Sequence, residues 1–137
     1  MDNDGEASKD FDETIIINSD YSRAYLNRGW IKFKNKQYEE AIIDFDHAIR
    51  IEPHSAISFY HRGCAKLNLE RFHESIKDFD HAPNDANTHN NRGVAKERLK
   101  LWSEAQLDYQ KALEIDPNNE VAKNYLKNLE TKMKQTP

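Results

Sequence analysis

The chain repeats itself, and the repeat constrains its fold more than any other feature. Asn27-Arg28-Gly29, His61-Arg62-Gly63 and Asn91-Arg92-Gly93 stand 34 and then 30 residues apart. The blocks Ala41-Ile42-Ile43-Asp44-Phe45-Asp46-His47-Ala48, Ser75-Ile76-Lys77-Asp78-Phe79-Asp80-His81-Ala82 and Ala105-Gln106-Leu107-Asp108-Tyr109-Gln110-Lys111-Ala112 follow one plan. Each runs on to a proline: Pro53, Pro83 or Pro117. The second spacing is short because the middle unit lacks the four counterparts of Ile49-Arg50-Ile51-Glu52. A period of this length makes each unit one supersecondary element, which buries its apolar face only by stacking on its neighbours.

Within each second block the apolar residues recur at i, i+4 and i+7, as at Ala41, Phe45 and Ala48, which is one face of a helix. A helix-interior glycine costs about 1 kcal/mol relative to alanine, so Gly29, Gly63 and Gly93 in register need a reason. Close approach to the facing helix, with its small Ala41 and Ala48, supplies one. Tyr38, Phe72 and Trp102 are placed to fill the turn between paired helices. Each proline falls just past one helix and before the next, where its missing N–H is tolerated. No segment alternates polar and apolar residues as a half-buried strand would, so the expected fold is all-α.

Composition narrows the class further. With 4 Gly and 4 Pro in 137 residues, collagen-like and low-complexity chains are excluded, and a single Cys forms no internal disulfide. Apolar runs do not exceed three residues, as at Ile15-Ile16-Ile17, so no membrane insertion is expected. The acidic start, Met1 to Glu6, lacks the features of a signal peptide, and a reduced cytoplasmic setting is expected. The formal charge is −4, with Lys and Arg interspersed among acids, which argues against a nucleic-acid partner. The tail with Lys127, Lys132 and Lys134 is locally basic but short.

Tyr25, Gly29, Tyr38, Ala41, Phe45, Ala48 and Pro53 form a signature that returns as Phe59, Gly63, Phe72, Ser75, Phe79, Ala82 and Pro83. It returns again as Gly93, Trp102, Ala105, Tyr109, Ala112 and Pro117, with His89 where a large apolar residue is usual. This pattern resembles the tetratricopeptide repeat. The resemblance covers residues 22–119 closely and implies antiparallel helix pairs wound into a right-handed α-α superhelix of about eight helices.

Shifted by 34, Ala7, Asp10-Phe11-Asp12, Ile15 and Ile17 meet Ala41, Asp44-Phe45-Asp46, Ile49 and Ile51. The chain therefore reads as one domain, 1–137: a half repeat at 6–21, repeats at 22–55, 56–85 and 86–119, and a capping helix at 120–134. The capping helix places Ala122, Leu126 and Leu129 on one face. Helices are expected over 6–18, 21–35, 38–51, 54–69, 72–82, 85–99, 102–115 and 118–133. The half repeat lacks its first helix, so it either continues a longer array or pairs with a second molecule, giving a homo-oligomer.

Little in the chain suggests catalysis. None of the histidines at 47, 54, 61, 73, 81 and 89 forms a His-Glu-x-x-His pair or a tight Cys/His cluster, and Cys64 has no local nucleophile signature. No glycine-rich phosphate loop is present. The expectation is a non-enzyme with no cofactor and no metal. Arg28, Arg62 and Arg92 recur against Asp44, Asp78 and Asp108, as bidentate pairs that hold helix register would. An alternative is an arginine-lined groove for acidic ligands.

The resemblance also implies a binding surface, the concave face formed by the first helix of each pair. Its partner-binding candidates here are Arg23, Leu26, Asn27, Trp30, Ile57, Tyr60, His61, Cys64, Asn90, Asn91 and Val94. Trp30, Tyr60, Leu26 and Ile57 are large for such positions and suggest anchors for a partner's side chains. Packing of Trp30 and Phe33 against the helix at 6–18 is the competing explanation. Asn27, His61 and Asn91 make a partial ladder of the kind that holds an extended peptide's backbone in some members. The clamp that grips acidic chaperone C-termini wants Lys, Asn, Asn, Lys and Arg at places held by Leu26, Trp30, His61, Asn87 and Asn91. That register has lost every required cation, so chaperone tails are disfavoured.

The four-residue deletion predicts a shorter second helix in the middle unit. It also marks 82–90 as the expected place for a hinge or a change of superhelical pitch. Taken together, the expected function is a protein-interaction scaffold or adaptor that binds an extended peptide or a partner helix. The alternative is a self-associating segment, or a piece of a longer array, acting through the half repeat.

Overall fold

The computed structural model describes residues 22–135. The expected half repeat at 6–21, and the self-pairing assigned to it, lie outside the described residues. Seven helices follow in order: α1 (Ser22–Lys34), α2 (Tyr38–Ile51), α3 (Ala56–Asn68), α4 (Phe72–Asp80), α5 (Ala86–Arg98), α6 (Trp102–Ile115) and α7 (Glu120–Gln135). Each packs on the next, and α1, α3, α5 and α7 also touch in succession. Those four therefore form the inner wall of the stack, with α2, α4 and α6 outside.

The periodic apolar face becomes the core. Ala41, Phe45, Ala48, Ala65, Phe79, Ala95, Ala105, Tyr109, Ala112, Ala122 and Leu129 are all buried. The glycines do serve close approach, but the neighbour is an aromatic ring. A Cβ on Gly29 would stand 2.6 Å from Phe45 Cε1, on Gly63 2.8 Å from Phe79 Cε1, and on Gly93 2.6 Å from Tyr109 Cε1. Each ring is therefore seated in a slot that only glycine leaves open.

The turn inside each pair uses an unexpected device. Lys36, Glu70 and Lys100 adopt φ of 61°, 60° and 62°, the left-handed region, with no glycine to ease it. The bonds from Gln37 N to Lys32 O at 2.8 Å, and from Arg71 N to Lys66 O and Leu101 N to Lys96 O at 2.9 Å, close each turn over the preceding helix end. Satisfying those end carbonyls offsets the steric cost of the conformation.

The arginine–aspartate series is structural. Arg28 binds Asp44, Arg62 binds Asp78 and Arg92 binds Asp108, each through two nitrogens at 2.6–3.2 Å. Lys32, Lys66 and Lys96 add a second cation to the same carboxylates at 3.0, 3.1 and 2.9 Å. Arg62 also reaches back to Asp46, and Arg92 to Asp80, each at 2.9 Å, which ties neighbouring pairs together. At α7 the series closes: Gln110 stands where Asp46 and Asp80 stood, and Leu126 where the arginines stood.

The deletion shortens α4 to 9 residues against 14 in α2 and α6, and the helix ends at Asp80 rather than at 82. Its loss is partly made good at the junction that follows. Asp85 caps α5 by accepting the Thr88 N–H at 2.9 Å. His89 links Asn84 Oδ1 at 2.7 Å to Asp108 Oδ1 at 3.1 Å. It thus takes a polar role where Tyr25 stacks on His47 and Phe59 leans on His81 in the earlier pairs.

No helix among the described residues is long and apolar enough to cross a membrane.

Candidate functional site

The inner wall changes character along the stack. On α1 and α3 it is aromatic. The Trp30 ring lies 5.4 Å from Phe33 with an interplanar angle of 11°, and 4.9 Å from the His61 ring. His61 in turn stacks on Phe45 at 5.8 Å and meets Tyr60 edge-on at 5.5 Å. A continuous run of rings thus crosses from α1 to α3. Despite this packing, Trp30 remains 40% exposed and Ile57 44% exposed. Neither is needed to close the core.

His61 is held neutral by this setting. Burial lowers its pKa from the ordinary value, and its Nδ1 is buried with no hydrogen-bond partner among the described residues. It therefore serves as an aromatic spacer more than as an amide-like rung beside Asn27 and Asn91.

Next to it, Tyr60, Cys64 and Asn91 form a small network joining α3 to α5. Asn91 Nδ2 donates to Tyr60 Oη at 3.2 Å and lies 3.6 Å from Cys64 Sγ. Burial pushes the Cys64 thiol up to about 12, and burial likewise raises the Tyr60 phenol. A thiol so far from ionisation is no nucleophile. Its job is to fill space and orient Asn91, whose Oδ1 has no partner among the described residues.

The remaining candidates divide. Arg23 is exposed at the start of α1, and half-buried Asn27 makes no hydrogen bond among the described residues. Leu26 packs on both core clusters of the first pair and belongs to the core more than to an open wall. Val94 packs on the cluster of Ala105, Tyr109 and Leu129. Asn90 is a correction: it is 4% exposed, with Nδ2 facing Asn119 Oδ1 at 3.4 Å, so it cannot meet a partner. The side chain is turned towards Asn119, the residue just before α7, and away from the open wall.

Two inner-wall residues escaped the sequence reading. Val121 is 50% exposed and Tyr125 36% exposed, the latter 5.4 Å from the Tyr109 ring. Counting 34 onward from Asn87 and Asn91 reaches them, so the signal was present. Treating α7 only as a cap hid it. Beyond α3 the wall is rich in amides, with Asn87, Asn91, Asn124 and Asn128. Its carboxylate Glu97 is engaged by the Tyr109 hydroxyl at 3.0 Å and by Lys132 at 3.3 Å.

Among the described residues no group of three or more His, Cys, Asp or Glu side chains is placed to hold a metal ion.

The tetratricopeptide-repeat family model matches residues 22–55 and 86–119, either side of the shortened unit. No curated protein sequence matches the chain. Among solved structures, the first TPR of Spaghetti (RPAP3) bound to the HSP90 peptide SRMEEVD is 25% identical, with a TM-score of 0.80 over 83% of this chain and 94% of that one. The Arabidopsis OM64 TPR domain is 27% identical, with a TM-score of 0.78 over 81% of this chain and 95% of that one. MamA from Desulfovibrio magneticus RS-1 reaches a TM-score of 0.92 over 97% of this chain and 77% of that one, and at 17% identity it speaks for the fold alone. Matched glycine slots, αL turns and helix pairs agree with these likenesses: the chain is a member of the tetratricopeptide-repeat family, an all-α helical solenoid.

Proposed function

We propose that the chain is a non-enzymatic interaction module that binds an extended peptide or a partner helix along the inner wall. The observation that carries this reading is the pair of large apolar side chains, Trp30 and Ile57, left exposed in a ring-lined surface that the fold does not require. The likeness to a repeat domain solved with a bound peptide supports the same class of partner.

The chaperone-tail clamp would need cations where Leu26, Asn87 and Asn91 stand and asparagines where Trp30 and His61 stand. The exposed rings favour a ligand held by apolar side chains instead. Affinity capture with the full chain, compared with a Trp30→Ala/Ile57→Ala variant, tests the reading. Loss of captured protein with unchanged helicity and unchanged oligomeric state supports it. Equal capture by both forms sinks it. Tyr60 is a poorer probe, because its hydroxyl holds Asn91 and its substitution would disturb α3 and α5 together.

A further inference from the structure

Arg23 is not used by the described part of the fold. It is exposed, and it makes no ion pair or hydrogen bond among the described residues, a state it shares with Arg50 of the outer helix α2, whereas Arg28, Arg62, Arg71, Arg92 and Arg98 are all engaged. It sits in the first turn of α1, which contains no acidic residue, so its charge also opposes the helix dipole. Seven residues further on the same helix stands Trp30. Two turns of helix separate them by about 10 Å along the axis. An extended chain advances about 3.3 Å per residue, so it covers that distance in about three residues.

The wall's other polar groups point to the ligand's conformation. Asn27 is uncommitted, and the Asn91 carbonyl is left open by a network that uses only its NH2 group. An amide side chain can both donate to and accept from a peptide unit. A bound helix has already paired its own backbone and would leave these amides without a use, whereas an extended peptide pairs with them.

We infer that the groove takes an extended peptide in which a carboxylate side chain pairs with Arg23 and a large apolar or aromatic side chain, three residues away, lies on Trp30. This is a one-carboxylate, one-anchor arrangement and rests on the groove reading above. Charge complementarity selects the acid at Arg23, because the carboxylates near the wall are already engaged, Glu97 by Lys132 and Asp85 by the Thr88 N–H. Asn27, which stands between Arg23 and Trp30 on α1, then holds the backbone between the two side chains.

Display of random peptides on the full chain tests this, with Arg23→Glu and Trp30→Ala variants panned in parallel. Selection of an acid three positions from an aromatic residue, that is acid-x-x-aromatic in either direction, is expected for the wild type. Arg23→Glu should weaken the selected peptides about tenfold and enrich Lys or Arg at the acid's place. Apolar peptides that depend on Trp30 but are indifferent to Arg23, or selected peptides that bind as amphipathic helices, would overturn the inference and leave the groove reading standing. Peptides indifferent to Trp30→Ala, or no enrichment at all, would overturn both.

Discussion

Arg62 and Asp78 are joined by two parallel hydrogen bonds, Nε to Oδ2 at 3.0 Å and Nη2 to Oδ1 at 2.7 Å. The third nitrogen of Arg62 reaches Asp46 of the preceding pair at 2.9 Å. Asp78 is almost fully buried and also receives Lys66, whereas Asp46 is half open to solvent. The two carboxylates should therefore differ sharply in worth. Asp78→Ala strands two cations at a buried site and is expected to cost about 3 kcal/mol. Asp46→Ala removes a solvent-screened partner and should cost under about 1 kcal/mol. Urea unfolding of both variants checks the order.

Gly63 faces the Phe79 ring so closely that Gly63→Ala must displace it. Overpacking of this kind costs about 1–3 kcal/mol, more than the roughly 1 kcal/mol that alanine gains as a helix former. Net destabilisation is expected in thermal unfolding. In the Phe79→Leu background the same substitution should be neutral or stabilising, since the clashing ring edge is gone.

The left-handed residues Lys36, Glu70 and Lys100 offer the opposite outcome. Glycine adopts this conformation without the Cβ penalty. Each of Lys36→Gly and Lys100→Gly is expected to stabilise the fold by about 0.5–1 kcal/mol, partly offset by a more flexible unfolded chain. Raised melting temperatures, additive in the double variant, would bear this out.

His61 links stability to pH. Burial lowers its folded pKa below the unfolded value of about 6.5. Above that value both states are neutral and stability is at its full level. As pH falls through 6.5 towards the folded pKa, the unfolded chain binds the proton first and stability is lost. His61→Phe keeps a ring between Trp30 and Phe45 and should remove this part of the loss below pH 6.5. An unchanged pH slope in the variant would show that other groups cause it.

Asp85 should govern the junction after the shortened helix. Its side chain caps α5 at Thr88, so Asp85→Ala should cost about 1 kcal/mol. Hydrogen exchange reports where: amides in the first turn of α5 should lose protection in the variant before those of α3 or α6. The same measurement on the wild type tests the hinge expected near 82–90.

Much of this architecture is legible in the chain itself. Gly29, Gly63 and Gly93, the aromatic at each fixed distance beyond them and the terminal prolines are local signals that recur, and recurrence separates them from noise. The shortened α4 was legible as well, because a missing stretch in a periodic pattern can be counted. The pairing of Arg62 with Asp78 could be anticipated from shared periodicity. Its extension to Asp46 could not, because that contact depends on how far one pair is rotated over the next.

The candidate site was only partly legible, and the reason is geometric. Inner-wall positions share a helix face, but their accessibility depends on the neighbours that stacking brings against them. Asn90 and Leu26 stood beside Asn91 and Trp30 in the pattern, yet one is turned towards Asn119 and the other packs into the core. The left-handed turns at Lys36, Glu70 and Lys100 carried no glycine or asparagine to announce them, since backbone closure over the helix end outweighs residue preference there. The sequence alone determined the period, the helix pairs and the place of the deletion, because these rest on local pattern and on residues that tolerate few alternatives. Tertiary structure alone decided which wall residues meet solvent, that His61 is a neutral ring in an aromatic run, and that Arg23 has no partner among the described residues. Burial and charge pairing are properties of assembled neighbours, and no single helix carries them.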